Sequence, residues 1–354
     1  MKTYNAVFDN NISSAMKIGT KVFRDFPASR GSIFRIMRSF SAAKKRRHEW
    51  RDKGVLVPPL LIISTTNRCN LSCIGCYANP LNSDSPDGKA NELTRLQIDK
   101  LLDEAYDAGC SLILLAGGEP LLCDEWLEAA ARRPHFLFMV FTNGTLIDER
   151  NADFFARNRH MIPLISIEGD ADRTDTRRGE EVSIQIQNAM RLLKEKVVPF
   201  GISVTTGEHN VGEVANTGFV ESFYRLGCRL AIFPEYVPAS ESNEMYVLSQ
   251  KSKLELDRFC IEESNKGNML LIAFPGDESM YDGCLAAGRG FAHISSSGEL
   301  EPCPFANYSD RNVLDSSLID ALSSPLFNKI REDSNILHEG EGGCALRGKD
   351  FMFT

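Results

Sequence analysis

Residues 65–80 read TTNRCNLSCIGCYANP, and within them Cys69, Cys73 and Cys76 fall inside eight residues. Three thiols at that spacing are too crowded to be ordinary core packing. A structural zinc ion is closed by four ligands, often two Cys-x-x-Cys pairs, and a closed ferredoxin-type cluster takes four thiolates. A cubane has four irons, so three neighbouring thiolates leave one iron without a protein ligand and open to a reactant. The competing reading is a zinc knuckle that borrows a distant fourth ligand. Gly75 has no side chain, which eases the close approach of backbone that a short ligand loop requires.

The loop follows LLIISTT (60–66), a short β-branched and apolar run that predicts a strand. Similar runs recur as SLILLAG (111–117), FLFMVFTN (136–143), IPLISIEG (162–169), PFGISVTT (199–206) and CRLAIFPEYV (228–237). Between them lie helical patterns such as LTRLQIDKLLDEAYDAG, DEWLEAAARR, VSIQIQNAMRLLKEK and VGEVANTGFVESFYRLG. Strand and helix in alternation mean parallel strands joined by crossover helices. Six such units predict an α/β fold, a partial (β/α)6 TIM-like barrel rather than a closed eight-stranded one. Parallel α/β folds gather chemistry at the C-terminal strand ends. The unusual residues sit there: the cysteine loop after the first strand, GGEP (117–120) after the second, TNG (142–144) after the third and SIEGD (166–170) after the fourth.

Ahead of the barrel, residues 1–56 read as a helical extension, basic towards its end in FRIMRSFSAAKKRRHEWRDKG. Such a segment predicts a helix packed across the main domain with a solvated basic face; it could also meet an anionic membrane surface peripherally. The core is expected over 57–240. Residues 241–354 read as a linker helix, KSKLELDRFCIEESNKG, followed by a small α+β module rich in Gly, Cys and Pro. The chain has 354 residues, 43% of them apolar, and a formal charge of -8, which argues against a nucleic-acid partner. No secretory pattern is seen at the N-terminus, and the apolar run VLVPPLLIIS is too short to span a bilayer, so a cytoplasmic protein is expected. In a reducing compartment, ten cysteines are better read as metal ligands or redox groups than as disulfides.

The triple-cysteine loop together with GGEP resembles the radical S-adenosylmethionine (SAM) superfamily over about residues 60–237. The resemblance implies a 4Fe-4S cluster held by Cys69, Cys73 and Cys76, whose open iron is chelated by the methionine part of SAM. One electron from the cluster then yields methionine and a 5′-deoxyadenosyl radical, which removes a hydrogen atom from a substrate. A reductant such as flavodoxin or ferredoxin would supply that electron. In the family, Gly117, Gly118, Glu119 and Pro120 would meet the SAM amino group, with the glycines admitting the ligand and Glu119 offering negative charge. Ser166 and Glu168 would face the barrel mouth from one side of the fourth strand. Arg178 is the chosen partner for the SAM carboxylate, with Arg177 or Arg173 as substitutes, and Asn143 is a candidate for SAM or substrate. The residue before the third cysteine is commonly aromatic or His in the family. Here it is Gly75, followed by Tyr77, which leaves adenine recognition by these two residues open.

A second cysteine set lies downstream. Cys284 and Cys303 frame a predicted hairpin turning at Gly298, and Cys344 follows in EGGCALRG. This pattern resembles the opening of SPASM and twitch auxiliary-cluster domains, without the dense cysteine run of the longer version. It implies a second iron-sulfur cluster on Cys284, Cys303 and Cys344, with Cys260, another side chain or substrate as the fourth ligand; unconnected thiols are the alternative. Cys110, Cys123 and Cys228 read as small buried hydrophobes. No phosphate loop, nucleophile elbow or histidine cluster supports hydrolysis or phosphoryl transfer. Peptide or protein modification is the favoured outcome, and a small metabolite or lipid is the other substrate class. A non-catalytic iron-sulfur or zinc protein is the alternative of another kind.

Overall fold

The computed structural model describes residues 4–22, 24, 26–78, 91–238, 241–276, 278–338 and 344–346. Two helices come first, α1 (Tyr4–Val22) and α2 (Arg30–Asp52). The barrel then runs β1 (Leu60–Thr66), α3 (Arg95–Ala108), β2 (Leu112–Gly117), α4 (Asp124–Ala131), β3 (Leu137–Thr142), α5 (Glu149–Arg157) and β4 (Met161–Ile167). It continues through α6 (Ala171–Arg178), α7 (Val182–Glu195), β5 (Gly201–Val204), α8 (Val211–Val214), α9 (Thr217–Leu226), β6 (Leu230–Pro234), α10 (Gln250–Lys266) and β7 (Leu270–Phe274). A hairpin, β8 (Phe291–Ile294) and β9 (Leu300–Glu301), precedes three short helices, α11 (Leu318–Leu322), α12 (Pro325–Glu332) and α13 (Ser334–Leu337).

All six expected strands are present, in one α/β partial barrel. The sheet order is β7-β6-β5-β4-β3-β2-β1-β8-β9, with every neighbouring pair parallel except the β8–β9 hairpin. The sheet therefore runs on past the boundary expected at residue 240. The α10–β7 unit adds a seventh parallel strand beside β6, and β8 lies parallel to β1 on the other edge. The helical stretch 211–227 is two helices, because the Asn216 side chain accepts a hydrogen bond from the Gly218 N–H at 2.7 Å and starts α9 afresh.

Burial explains the layering. Phe138, Val140 and Thr142 on β3 are buried towards the outer helices, where Trp126, Phe136 and Phe155 are also fully enclosed. The outer helices hide their apolar faces against the sheet, the main source of stability for helices of this length. α1 packs against β7 and the turn Glu278–Tyr281, across the gap where the sheet does not close. α2 crosses the end of α3. Arg47 of α2 is buried and donates to the Gly109 carbonyl at 2.6 Å, and Arg46 lies over the Tyr106 ring at 4.2 Å. Gly109 has φ +100, and a Cβ there would stand 2.7 Å from the Ala43 carbonyl oxygen, so the helix crossing depends on glycine. Arg30, Arg35, Arg38 and Lys45 remain exposed on α2 beside Phe34, which is 70% exposed. Among the described residues, no helix is long and apolar enough to cross a membrane.

Replacing Arg47 with Met keeps the length of the side chain but removes its donor to Gly109. The expected loss is about 1–3 kcal/mol, seen as a lower urea midpoint with an unchanged slope. An unmoved midpoint would mean that α2 adds nothing to the fold at this crossing.

Candidate active site

The cysteine loop leaves β1 and folds directly over the end of β2. The Gly118 N–H donates to the Thr66 carbonyl at 2.7 Å, and the Glu119 N–H donates to the Arg68 carbonyl at 2.8 Å. A Cβ on Gly118 would lie 2.0 Å from the Arg68 oxygen, and Gly117 has φ +104 with the Thr66 oxygen 2.7 Å from its would-be Cβ. The two glycines thus make room for the chain's own cysteine loop, a cause the sequence reading did not foresee.

Two further braces fix the loop. Asn143 Nδ2 donates to Asn70 Oδ1 and Asn70 Nδ2 to Thr145 Oγ1, both at 2.8 Å, while Thr145 Oγ1 returns a bond to Asn143 Oδ1 at 2.7 Å. Asn143 Nδ2 also stands 4.0 Å from the Cys69 sulfur. On the other side Ile74 N–H donates to the Arg177 carbonyl at 2.9 Å, and Arg177 Nε donates to the Ile74 carbonyl at 3.1 Å. Gly75 turns the chain with φ +67, facing the Tyr236 hydroxyl. Asn70, Thr145 and Tyr236 were not singled out in the sequence; only the adjacency of Asn70 to Cys69 could have flagged one of them.

Charge at the mouth is arranged in layers. Glu119 is 1% exposed; its carboxylate accepts from Thr142 Oγ1 at 2.7 Å and from the Leu121 and Asn143 N–H groups at 3.0 and 2.8 Å. Burial raises its pKa, opposed by these three bonds. Its carboxylate therefore ties strand ends together before it can meet an ammonium. Glu168, 4% exposed, is held by Arg177 at 2.6 Å and Arg178 at 2.5 Å. Both arginines front the same cavity as the three cysteines, whereas Arg173 pairs with Glu213 at 2.7 Å. A SAM carboxylate bound by Arg178 would have to share that guanidinium with Glu168. Ser166 lies beside its register partner Ser203 on β5, and both also face the cavity.

Cys69 is exposed, and Cys73 and Cys76 are half-buried. Burial pushes the Cys69 thiol up; it does the same to Cys73, where Arg178 opposes it, and in both cases neighbouring thiols add to the rise. The three sulfurs thus stand within electrostatic reach of one another at one cavity mouth. Among the described residues, no three His, Cys, Asp or Glu side chains are grouped closely enough to hold a single metal ion. A cluster instead takes each thiolate at a different iron, so its ligands stand further apart than those of one ion. Three thiols at one cavity mouth beside two arginines suit an anionic thiolate-bound cluster.

The second set is more enclosed. Cys284 and Cys303 are buried and Cys344 half-buried, and burial raises the thiol pKa of the first two strongly. Gly298 turns the hairpin with φ +90, as the sequence predicts. Glu278, which the sequence reading passed over, adds to the rise at both buried thiols. Cys260 lines the central cavity. Tyr77, directly after Cys76, packs against Phe305, two residues beyond Cys303, with ring centroids 5.3 Å apart. Burial lifts the Tyr77 hydroxyl pKa to about 12. Pro120 is buried at the start of the short turn after β2.

The fold is a split parallel barrel of the α/β class with a thiol loop over its C-terminal mouth. The sequence matches the family model described as Radical SAM superfamily over residues 63–217. It is 24% identical to the AdoMet-dependent heme synthase of Methanosarcina barkeri, over 82% of this chain and 88% of that protein. It is 32% identical to the pre-heme d1 synthase of Dinoroseobacter shibae, over 44% of this chain and 38% of that protein. In fold it is similar to SuiB of Streptococcus suis bound to S-adenosylmethionine, with TM-score 0.65 and 18% identity over 86% of this chain and 77% of that one. It is also similar to anSMEcpe with bound AdoMet, with TM-score 0.57 and 19% identity over 76% and 82% of the two chains.

Gly118→Ala is expected to force the cysteine loop off β2. Cysteine-loop iron retained after anaerobic reconstitution should fall, and the urea midpoint should drop by the equivalent of about 1–3 kcal/mol. A variant that kept both values would show that the close crossing is not required.

Proposed function

We propose that Cys69, Cys73 and Cys76 hold a 4Fe-4S cluster and that this mouth binds SAM for hydrogen abstraction from a compact substrate in the barrel. The observation that carries this reading is the cavity: the cysteine loop opens onto a space of about 710 Å3, within the usual range for small-molecule sites. The cluster, when bound, supplies the electron that cleaves SAM. The protein's own groups hold the reactants. Arg178 and Arg177 offer donors to the SAM carboxylate, the backbone around Gly117 and Gly118 faces its amino group, and Ser166 and Asn143 line the approach. Gly75 and Tyr77 sit where the adenine would pass. The barrel walls exclude water from a reactive carbon centre.

Cys284, Cys303 and Cys344 are proposed to carry a second, SPASM- or twitch-like cluster. Support comes from three thiols, two of them buried, within electrostatic reach of one another, and from a Tyr77–Phe305 contact that joins the two cysteine sets. The relatives that span most of the chain are named as heme synthases, which agrees with a small-molecule substrate. A peptide or protein substrate, expected from the sequence, is the alternative; structures of SuiB and anSMEcpe, which are similar in fold, hold peptides.

Anaerobic reconstitution should give about eight irons per chain, and reduction with SAM should release 5′-deoxyadenosine. Replacing Cys69, Cys73 and Cys76 with Ala should remove about four irons and abolish that product; replacing Cys284 and Cys303 should remove the other four. About four irons in the native chain would eliminate the second cluster. Cleavage of SAM by the triple variant would overturn the whole reading.

A further inference from the structure

The inside of the barrel is packed less tightly than the outside. On β3, Met139 and Phe141 point inward and are only half-buried, while Phe138 and Val140 on the other face are fully enclosed. Leu270, Ile272 and Phe274 of β7 are likewise half-buried, and with Ile162, Leu164, Leu230 and Ile232 they form an apolar cluster separate from the main core. In a closed barrel such inward side chains fill the centre. Here Met139, Phe141, Ile232, Leu270, Ile272 and Phe274 front a void that extends from the cysteine mouth to Leu60 and Leu112 at the opposite strand ends.

The missing wall of that void is α1. Asn11, Ile12, Ser14, Ala15 and Ile18 line it, spaced along one helical face. Asn11 Nδ2 donates to the Tyr281 hydroxyl at 2.6 Å, which anchors the helix to the turn between β7 and β8. Ile12, Ala15 and Ile18 are half-buried and face the void, and Ile12 also packs against the main apolar core.

Charge is unevenly placed along the void. Among the described residues that line it, the only Lys or Arg side chains are Arg177 and Arg178, both at the cysteine end and both engaged by Glu168. Glu235, just past β6 and met by Lys253 at 2.8 Å, and Asp257, beside Gly276 past the end of β7, stand at the C-terminal strand ends as well. An ionised carboxylate buried among the apolar side chains at the α1 end would meet no Lys or Arg among the described residues that line the void, at a cost of several kcal/mol.

We propose that the end of the cavity walled by α1 is the substrate subsite and takes an uncharged, predominantly hydrocarbon body, whose size is set by Ile12, Ala15 and Ile18. This rests on the reading of the cavity as the reaction chamber.

The test uses the reconstituted full chain and Nile red, a neutral apolar dye whose fluorescence rises on burial. The wild type should bind one dye per chain. Near about pH 8, decanol should displace it at least about tenfold better than ionised decanoate, the equivalent of 1.4 kcal/mol or more. Ala15→Trp and, separately, Ile18→Trp should each weaken dye binding by about tenfold or more, with iron content and circular dichroism confirming an intact fold. Equal displacement by decanoate, or dye binding untouched in both folded variants, would overturn the proposal. Iron counting and 5′-deoxyadenosine release on the wild type report on the radical SAM reading separately, so failure of one is not mistaken for failure of the other.

Discussion

Glu119 carries three hydrogen bonds on a carboxylate that is 1% exposed: one from the end of β3 through Thr142, one from Asn143 beyond it and one from its own turn through Leu121. Its backbone N–H meanwhile holds the Arg68 carbonyl of the cysteine loop. One residue thereby joins the ends of β1, β2 and β3. A buried acceptor of this kind is costly to leave unmatched, and so are its donors. The positions of Asn143, and through it Asn70 and Cys69, follow from that single carboxylate. The cysteine loop is irregular backbone, but it is pinned on three sides by strand ends and by α6.

The strands were the most legible part of the fold. LLIISTT became β1 at the same residues, because a run that is apolar or β-branched throughout and buried on both faces has few alternatives. β7 was missed because LLIAF is five residues long and stands in a stretch whose cysteines and glycines drew attention to metal binding instead. At the site, residue types could be read but partners could not. Arg178 was picked for an incoming carboxylate, and it fronts the cavity; that Glu168 already holds it depends on how a helix end folds back over a strand end. The glycines of GGEP were recognised as permitting close approach, yet what approaches is the chain itself. Thr145 carries no sequence signal and Asn70 only its place beside Cys69, since an asparagine matters here only through where β3 ends.

An open sheet explains why the N-terminal extension is helical and where it lies. A parallel sheet exposes inward apolar side chains unless it closes on itself or is covered. This sheet ends at β7 on one side and at the β8–β9 hairpin on the other, so the inner faces would meet water along the gap. α1 lies across that gap with its apolar face inward. The basic residues of α2 divide in the same manner: Arg46 and Arg47 turn inward to cap α3, Lys44 and Arg51 are half-buried, and Arg30, Arg35, Arg38 and Lys45 stay in solvent. The extension is thus a wall of the barrel in its first half and a clamp on the outside in its second.

The hairpin that bears Cys303 is held to the strand that leads into Cys69 by a chain of polar groups. Ser64 Oγ and His293 Nε2 are 2.8 Å apart, and His293 Nδ1 and Glu301 Oε2 are 2.6 Å apart, with all three residues buried. These residues stand on β1, β8 and β9 in turn, with His293 and Glu301 as register partners. An apolar contact in the same place would tolerate a slip of the hairpin, because hydrophobic burial has no direction. A slip of one residue here would break both bonds, turn each side chain to the opposite face and leave buried groups unmatched. The register of β9, and so the point at which the chain reaches Cys303 two residues later, is fixed relative to the strand that launches the cysteine loop. The distance between the two cysteine sets is therefore set by strand geometry and by the Tyr77–Phe305 contact, and not by the longer connections that join them in sequence.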